Sequence, residues 1–287
     1  MGVVCAGHVN WDHTFLVDRL PDPDCEARVE TRVAGGGGGA ANVSRGLVGL
    51  GVSATVLGAV GDDERGDTAV AGLSTAGVQT DHVRRVTGTP TTEKYLVVGD
   101  AGEVVVLGCA GANESFAADD LPPETLAASG YLHLTGQRPA TAAELAGRAR
   151  AAGATVSFDP GRRLGDRDFS ATLDLTDLLF VTDREAAWVP DDWLTAGRTL
   201  VVKRGADGAD VRTPATTRTH PGFAVDPRDT TGAGDAFAAG YLAARRDGAD
   251  EDRALAVANA CGAVATQVVG SRAPLDWEAV RTLLEEE

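Results

Sequence analysis

The sequence predicts an α/β protein built on a mostly parallel, doubly wound sheet. From residue 52 onward, short apolar runs alternate with segments of helical periodicity, which is typical of repeated βαβ units. Two stretches, 13–33 and 91–109, alternate apolar and polar residues instead, and we expect them to pair as a small antiparallel sheet that forms a lid over the substrate edge. Glycine-rich stretches at 35–39 and 232–234 each lead into a predicted helix.

The length of 287 residues suits one large α/β domain or two small ones, and we assign 1–287 to a single domain. No stretch approaches 18 uninterrupted apolar residues and no basic region precedes the first apolar run, so we expect neither a membrane span nor a signal peptide. The four cysteines, Cys5, Cys25, Cys109 and Cys261, have no metal-ligand spacing. We therefore expect a reduced, cytoplasmic protein without a zinc site.

Acidic residues number 42 against 26 basic ones, which gives a net charge of −16, and only two of the basic residues are lysines, Lys94 and Lys203. A surface this negative repels nucleic acid and anionic lipid, so we expect neither as a partner. An excess of acid with few lysines also suits concentrated salt, which screens the repulsion between carboxylates. If the protein is halophilic, its stability should rise between low and molar potassium chloride.

Residues 2–9 are predicted to form a buried strand, and Asn10, Trp11 and Asp12 follow it. Ligands bind at the carboxyl ends of strands in parallel sheets. Asp12 is therefore a candidate ligand for sugar hydroxyls, since a carboxylate accepts hydrogen bonds in fixed directions. A loop aspartate that caps nearby amides is the alternative.

Residues 35–39 are five consecutive glycines, which let the backbone pass close to a ligand. Apolar residues then recur at helical spacing from Ala40 to Leu50, until Gly51 ends the helix. Asn42 lies in the first turn, where its amide would point back toward the glycines. A flexible linker would explain the glycines but not the abrupt change to an amphipathic helix, so we favour a binding loop.

The later elements alternate regularly. We expect strands at 53–60, 154–158, 178–181 and 199–203, and helices from Asp62 to Ala76, from the Thr141-Ala142-Ala143-Glu144 capping box onward, and from Asp252 to Val268. The last three strands end in polar residues that could face one cleft. Among them, Lys203 or the adjacent Arg204 is a candidate phosphate partner, with a salt-bridged surface cation as the alternative.

The segment Asp229-Thr230-Thr231-Gly232-Ala233-Gly234-Asp235 places two glycines and a carboxylate where an extended stretch becomes a helix. Gly232, Ala233 and Gly234 can offer backbone N–H donors to a phosphoryl group, because a helix N-terminus carries unpaired N–H groups and partial positive charge. Asp235 would lie in the first turn, where it can accept the proton of an incoming hydroxyl during phosphoryl transfer. An ordinary capped helix is the alternative.

The pair of motifs, Gly-Gly-x-x-x-Asn at 37–42 and Asp-Thr-Thr-Gly-Ala-Gly-Asp at 229–235, resembles the signatures of the ribokinase-like, or PfkB-type, family of ATP-dependent carbohydrate kinases. The resemblance extends over nearly the whole chain. It implies a three-layer α/β/α sandwich with a mostly parallel central sheet, a small antiparallel β lid, and the use of ATP and Mg²⁺. It also implies a monovalent-cation site for K⁺ near Asp229 and the segment 265–273.

The resemblance also implies roles for single residues. Asp235 matches the catalytic base, and 232–234 match the anion hole. The sugar-binding set is matched by Asp12, Gly38 and Asn42.

On the nucleotide side, the resemblance places Asn259 beside the adenine and assigns Gly205 and Thr230, with Lys203, to nucleotide binding. Glu185 matches a glutamate that helps to organise Mg²⁺ through water. Arg163 matches an arginine that faces the substrate carboxylate in keto-deoxy-sugar-acid kinases.

Two departures from the family pattern affect these roles. Thr182 stands where the magnesium motif has Asn, and Gly39 replaces the lysine found in ribokinases and sugar-phosphate kinases. The segment 111–113 is similar to ribokinases, whereas 159–164 is similar to fructokinases and keto-deoxy-sugar-acid kinases. We therefore expect a free sugar or sugar acid of the ribose, fructose or 2-keto-3-deoxygluconate type as acceptor.

A nucleoside kinase and a sugar-phosphate kinase are the alternatives within the family. A catalytically silent ligand-binding protein is the alternative from another class, and the intact Asp235 with its glycines argues against it. The lid strands present an open edge that a second subunit often covers, so we expect a homodimer formed through the lid.

Overall fold

The computed structural model describes residues 2–100, 102–195, 197–272 and 274–285. Its strands are, in chain order, β1 (Gly2–Ala6), β2 (Asn10–Val17), β3 (Val29–Gly37), β4 (Ala54–Gly61), β5 (Gln79–Val86), β6 (Glu93–Val98), β7 (Val104–Cys109), β8 (Ser129–Thr135), β9 (Thr155–Asp159), β10 (Leu178–Thr182), β11 (Thr199–Lys203), β12 (Ala209–Arg212) and β13 (Thr217–His220). Its helices are α1 (Gly39–Gly49), α2 (Glu64–Thr75), α3 (Pro123–Ala128), α4 (Pro139–Ala151), α5 (Ser170–Asp174), α6 (Asp183–Ala186), α7 (Ala233–Arg246), α8 (Glu251–Thr266) and α9 (Trp277–Glu285).

The larger sheet has the strand order β13-β12-β11-β10-β9-β8-β1-β4-β5. Its strands are parallel except for β12 and β13, which join one edge in antiparallel fashion. Side chains alternate between two cores: Val3 and Cys5 pack with α1, α7 and α8, whereas Val4 and Ala6 pack with α4 on the other face. This alternation produces helix, sheet and helix layers, as the sequence predicts.

The smaller sheet has the strand order β3-β2-β6-β7 and is built from the two stretches expected to form the lid. Pairs β2–β3 and β6–β7 are antiparallel, as expected for the lid, and the central pair β2–β6, which joins the two hairpins, is parallel. Each stretch is a hairpin that leaves the larger sheet and returns. Because the two outgoing strands are neighbours, they run in the same direction. Ala101 of the predicted lid lies outside the described residues.

Two local expectations near the N-terminus need correction. Asp12 belongs to strand β2, not to a loop. The glycines at 35–37 are the end of β3, where they pair with residues 10–12 of β2. Glycine is needed there because a Cβ atom at Gly37 would collide with the Asp12 carboxylate. Only the end of the glycine run is therefore a turn.

The expected capping box at Thr141 does not start a helix, because α4 already begins at Pro139. Proline suits this first helical position, since its fixed φ is helical and its missing N–H would have no partner. Strand β1 ends at Ala6, three residues before its expected end, and the first lid hairpin runs from Asn10 to Gly37 instead of over 13–33. The other elements lie within about two residues of their expected bounds, as is usual for helix and strand ends.

No helix in the described ranges is long and apolar enough to cross a membrane. The cytoplasmic location and the assignment of 1–287 to one domain stay predictions.

Candidate active site

The segment 229–235 forms the start of α7, as the sequence predicts. The helix begins after Gly232, whose φ of +79° is in the left-handed region. A Cβ atom at Gly232 would collide with the backbone carbonyl of Ser271, so a larger residue would displace the loop that carries Ser271. Gly232, Gly234 and Asp235 all line one cavity of about 430 Å³, and we name this the acceptor cavity.

Asp235 lies half-buried in the first turn of α7. Burial raises its pKa to about 6, and the negative charge of Asp159 adds to this effect. A hydrogen bond from Asn42 acts in the opposite direction. Asp235 is thus a carboxyl group that changes charge close to neutral pH, which is a property of groups that accept protons in catalysis.

The first-turn residue Asn42 of α1 brings the two sequence motifs into direct contact. Its Nδ2 donates to Asp235 Oδ2 at 2.7 Å, although the residues are 193 positions apart in the chain. Arg272 Nε donates to Asn42 Oδ1 at 3.4 Å. Because a guanidinium group can only donate, Arg272 requires the amide oxygen on its own side and leaves the amide NH₂ for Asp235.

Asp12 contributes a second carboxylate to the acceptor cavity. Its Oδ2 accepts from the Ser271 hydroxyl at 3.0 Å. Its Oδ1 is buried, and no described residue reaches it with a hydrogen bond of normal geometry. Burial raises the pKa of Asp12, and Lys94 and Ser271 partly offset the shift. A buried acceptor without a partner suits a substrate hydroxyl.

Gly38 precedes α1 with a φ of +99°, and a Cβ atom there would collide with the His8 backbone. It too lines the acceptor cavity. All three residues expected to bind sugar, Asp12, Gly38 and Asn42, therefore meet beside Asp235. Their roles in binding stay predictions.

Cationic side chains also line the acceptor cavity, and one of them, Lys94, is the register partner of Asp12 in the β2–β6 pair. Lys94 of β6, Arg162 and Arg163 all line it. Within the part of the chain that the structure describes, no carboxylate lies within 4 Å of Lys94 Nζ or of the Arg162 guanidinium. Burial lowers the pKa of Lys94, while the charges of Asp12 and Asp235 oppose that shift.

Arg163, expected to face a substrate carboxylate, already has an acidic partner. Its Nη1 lies 2.6 Å from Glu114 Oε1, and Arg167 approaches the same oxygen at 2.8 Å. His8 lies 3.4 Å from it. The contact with His8, followed by those with Arg167 and Arg163, lowers the pKa of Glu114 to about 2 against the effect of burial. Glu114 therefore partly neutralises the positive charge of Arg163.

A second cavity of about 540 Å³, which we name the nucleotide cavity, adjoins the first. The two cavities share Thr182, Lys203, Thr230 and Gly234. Its other walls are mostly small or apolar, and they include the predicted Gly205 and Asn259. Asn259 Nδ2 donates to Leu255 O at 2.8 Å, which leaves its amide oxygen as an acceptor.

Lys203 lies where the two cavities meet. Its Nζ contacts Asp159 Oδ2 at 2.5 Å, and a Cβ atom on Gly234 would lie 3.4 Å from the same nitrogen. Burial lowers the pKa of Lys203, but the nearby Asp159 carboxylate outweighs it and the net shift is upward. Lys203 is thus ion-paired, but its side chain is only 13% exposed and is not a surface cation. Its role as a phosphate partner at the N-terminus of α7 stays a prediction.

Glu185 and Thr182 cap α6 reciprocally. Thr182 N donates to Glu185 Oε2 at 2.8 Å, and Glu185 N donates to Thr182 Oγ1 at 3.3 Å. One carboxylate oxygen of Glu185 thus remains for another partner at the edge of the acceptor cavity. Within the described ranges, no group of three or more His, Cys, Asp or Glu side chains could hold a metal ion by itself.

Asp229 joins the two loops expected to form a monovalent-cation site. Its Oδ1 accepts from Thr231 N at 2.9 Å and its Oδ2 accepts from Gly270 N at 2.8 Å. The side chain is buried, and its carboxylate holds the two loops together by accepting hydrogen bonds from their backbone N–H groups. Ala273, at the end of the expected cation segment, lies outside the described residues.

Several residues of the cleft escaped sequence reasoning. Lys94, Arg272 and Glu114 belong to no contiguous motif that carries chemistry, and only the fold brings them together. Lys94 did carry one signal, because it is one of only two lysines in a chain of 287 residues.

Comparisons with known proteins agree with this geometry. A family model described as pfkB family carbohydrate kinase matches residues 2–278. An ATP-dependent ribose-1-phosphate kinase from Halopiger xanaduensis is 48% identical over 290 residues, which cover 99% of this chain and 98% of that protein. A 2-dehydro-3-deoxygluconokinase from Bacillus subtilis is 29% identical over 84% of each chain. The crystal structure of a Methanocaldococcus jannaschii nucleoside kinase, an archaeal member of the ribokinase family, superposes with a TM-score of 0.87 at 24% identity, covering 100% of this chain and 98% of that one.

Proposed function

This chain belongs to the pfkB family of carbohydrate kinases, and we propose that the sugar it phosphorylates already carries one phosphate, as ribose 1-phosphate does. The predicted activity of an ATP-dependent sugar kinase is confirmed by the family match and by the 48% identical relative. The predicted ribokinase-like fold is confirmed as well. The identity of the acceptor sugar is the part that we propose.

The observation that carries the proposal is the set of cationic side chains that line the acceptor cavity. Lys94 and Arg162 have no carboxylate partner within 4 Å in the described chain, although acidic residues outnumber basic ones by 42 to 26. A phosphate group would pair with both and offset the desolvation of Lys94. Gly39 removes the lysine that the family's sugar-phosphate kinases have at that position, and Lys94 from the lid supplies a cation in its place. This moves our choice of acceptor from a free sugar to a sugar phosphate.

In the proposed reaction, Asp235 accepts the proton of the acceptor hydroxyl as its oxygen attacks the γ-phosphorus of ATP. The bond between that phosphorus and the bridging oxygen breaks, and ADP leaves. The backbone N–H groups of Gly232 and Gly234 and the Lys203 ammonium group stabilise negative charge on the transferred group, whereas the N–H of Ala233 already donates to Thr230 O at 3.2 Å. Asp12 and Asn42 bind hydroxyls of the sugar and so align the attacking hydroxyl with the γ-phosphorus. The product is a sugar with two phosphates.

We propose that Glu185 helps to hold Mg²⁺ through water, since one of its carboxylate oxygens is not used by the cap of α6. A bound Mg²⁺ would neutralise charge on the phosphates. K⁺ near Asp229 is also proposed, with backbone carbonyls of the two loops as ligands, because both Asp229 oxygens accept from backbone amides.

The lid supports the proposal of a homodimer. Val104 and Val106 of β7 line the acceptor cavity, so the alternate residues Val105 and Leu107 face outward and are 44% and 58% exposed. A second lid could cover this apolar face. Light scattering should give the mass of a dimer, and Leu107→Lys should give that of a monomer.

Adaptation to concentrated salt is proposed on the net charge of −16. The melting temperature should rise steeply between low and molar potassium chloride. A flat response would exclude the adaptation.

A coupled assay tests the acceptor proposal. We expect turnover of ribose 1-phosphate with a product carrying two phosphates, and a kcat/KM at least about a hundredfold lower for ribose, fructose, 2-keto-3-deoxygluconate and nucleosides, since two phosphate contacts are absent. Lys94→Gln should lower kcat/KM for ribose 1-phosphate by about thirtyfold, as expected for the loss of about 2 kcal/mol from a charged contact, with residual turnover of ribose nearly unchanged.

Arg253→Gln, which removes an exposed arginine on α8, is the control for net charge. Preferred turnover of a nucleoside or of a free sugar by the wild-type enzyme would refute the proposal. An equal loss for ribose and ribose 1-phosphate in Lys94→Gln would show that Lys94 does not bind the phosphate.

A further inference from the structure

A cavity of about 400 Å³ lies outside the acceptor and nucleotide cavities. It is bounded by the glycine end of β3, by α1 and α2, and by the loop 269–272. Arg45 of α1 and Arg272 line it, together with Trp11, Thr14 and Thr68. Arg45 and Arg272 are absent from the lining of the other two cavities.

The two arginines are near one another without neutralising partners. Among the residues the structure describes, no carboxylate lies within 4 Å of either guanidinium group. Arg272 bonds only to neutral acceptors: Gly37 O at 3.2 Å, Asn42 Oδ1 at 3.4 Å and Ala69 O at 3.5 Å. Burial lowers the pKa of Arg272 to about 10, and the charge of Arg45 adds to that shift while Asp12 opposes it.

This arrangement is unfavourable unless an anion is present. Two like charges that line one cavity repel each other, and burial of Arg272 removes part of its hydration. The chain has an excess of acidic residues, yet within the described ranges only one carboxylate, that of Asp12, lines this cavity. The charge of Asp12 partly offsets that of Arg272, but one carboxylate cannot balance two guanidinium groups.

We propose that this cavity is a second anion site, in which Arg45 and Arg272 bind a phosphate-type oxyanion. Guanidinium groups present planar pairs of donors that match the oxygens of phosphate. Gly36 gives the site its floor, because a Cβ atom there would collide with the Arg272 guanidinium. Inorganic phosphate and a phosphomonoester share the chemistry that the site recognises.

The site is linked to the acceptor cavity through Arg272. The same guanidinium group that faces the proposed anion donates to Asn42 Oδ1 and Gly37 O. Asn42 in turn donates to Asp235. An anion that fixes Arg272 therefore favours the amide orientation in which Asn42 Nδ2 faces Asp235, so occupancy should lower the KM for the acceptor.

Equilibrium dialysis with radiolabelled inorganic phosphate tests the site. The enzyme is saturated with a non-hydrolysable ATP analogue, which fills the nucleotide phosphate subsite, and potassium chloride keeps the ionic strength constant. We expect two phosphates per chain, one at Lys94 and one at the arginine pair. Arg45→Gln should lose one of them, Lys94→Gln the other, and the double variant both.

Arg253→Gln serves again as the charge-matched control and should bind as the wild type does. Arg45→Lys keeps the charge but loses the paired donors, so its second phosphate should bind about tenfold more weakly. Retention of the analogue shows that each variant is folded.

Unchanged phosphate binding in both Arg45 variants would overturn the inference. Unchanged binding in Lys94→Gln would count against the acceptor proposal alone, because Arg45 does not line the acceptor cavity. To identify the source of the oxyanion, a phosphomonoester such as glycerol phosphate is added as competitor. If glycerol phosphate displaces the radiolabelled phosphate bound at Arg45 and Arg272, the ligand is an organic phosphate. If it does not, the ligand is inorganic phosphate.

Discussion

We call the side of the cleft around the nucleotide cavity and the start of α7 the nucleotide half, and the side around Asp12 and the lid the acceptor half. The lysines of the two halves differ in whether they are ion-paired. Lys203 comes from β11 of the larger sheet and is ion-paired with Asp159. Lys94 comes from the lid strand β6 and, in the described chain, has no carboxylate within 4 Å, although the charges of Asp12 and Asp235 are felt at its ammonium group. The Asp159 carboxylate therefore holds Lys203 in place without a ligand, whereas Lys94 has no anionic partner in the described chain.

This difference shows how the two substrates are treated. ATP is the expected phosphoryl donor whichever acceptor is used, so its phosphates can meet a preorganised site on the rigid sheet. The named acceptors differ between relatives, and the residues proposed to contact the acceptor come from the lid and from separate strand ends. A lid that carries its own cation can also couple closure to the arrival of the correct substrate.

The two halves meet at Asp235, where substitution should have the largest effect. Asp235→Asn should lower kcat by at least about a thousandfold, because both the proton acceptor and its charge are lost. ATP affinity should change little, which equilibrium binding can measure. Asp207→Asn, an exposed carboxylate beside the nucleotide cavity, is the matched control. Near-normal turnover of Asp235→Asn would exclude it as the base.

Substitution of each lysine by methionine compares the two halves directly. Lys203→Met should destabilise the fold by about 3 kcal/mol, because the Asp159 carboxylate loses its cationic partner and keeps only the N–H of Gly161. Lys94→Met should change the free energy of unfolding by less than about 1 kcal/mol, since no ion pair is broken. Denaturation by guanidinium chloride, with the potassium concentration held constant, gives the free energy of unfolding of both variants.

The double variant Lys203→Met with Asp159→Leu should recover much of the stability lost in Lys203→Met alone. Equal losses in the two single variants would remove the contrast between a fixed and an unpaired lysine.

Gly232→Ala tests how closely the nucleotide half is packed. Alanine at the φ of +79° costs about 1 kcal/mol in backbone strain, and its Cβ would also collide with the Ser271 carbonyl, so we expect a total loss of about 2 kcal/mol. Gly248→Ala is the matched control, since its φ is +85° but no atom lies within 4 Å of the added Cβ. The KM for ATP should rise only in Gly232→Ala. The same result for both variants would mean that the collision is relieved by a small shift of the loop.

The nucleotide half is also the part that the sequence predicts best. The residues 229–235 are contiguous, and a helix N-terminus with glycines has the same chemistry wherever it occurs. The strands that end at Asp159, Thr182 and Lys203 were placed correctly, because buried parallel strands are short apolar runs. Local pattern and final position coincide in this half.

The acceptor half could not be predicted as fully, because its residues come from distant segments. Nothing near Lys94 indicates that β6 pairs with β2 in parallel and so brings it beside Asp12. Arg272 follows the last cleft loop and has no local pattern. The pairing of Arg163 with Glu114 likewise depends on a contact between residues 49 positions apart. Such contacts follow from tertiary packing, which periodicity does not encode.

The smallest expected effect is a change in pH dependence, and it tests whether the acceptor half adjusts the base. Because the pKa of Asp235 is raised to about 6, the carboxylate form that accepts a proton is lost as the pH falls through 6. The kcat/KM for the acceptor should therefore fall about tenfold per pH unit below that value. Asn42→Ala removes the donor that lowers the pKa of Asp235, so its acid limb should move upward by up to about one pH unit.

The acceptor phosphate also titrates near pH 6, but its ionisation is the same for both enzymes and cannot produce a difference between them. Thr75→Ala, which changes an exposed residue at the end of α2, is the control and should leave the limb in place. A limb at the same pH in Asn42→Ala and the wild type would mean that the acid limb reports the substrate and not Asp235. In that case the contact between the two motifs would orient the base without adjusting its proton affinity.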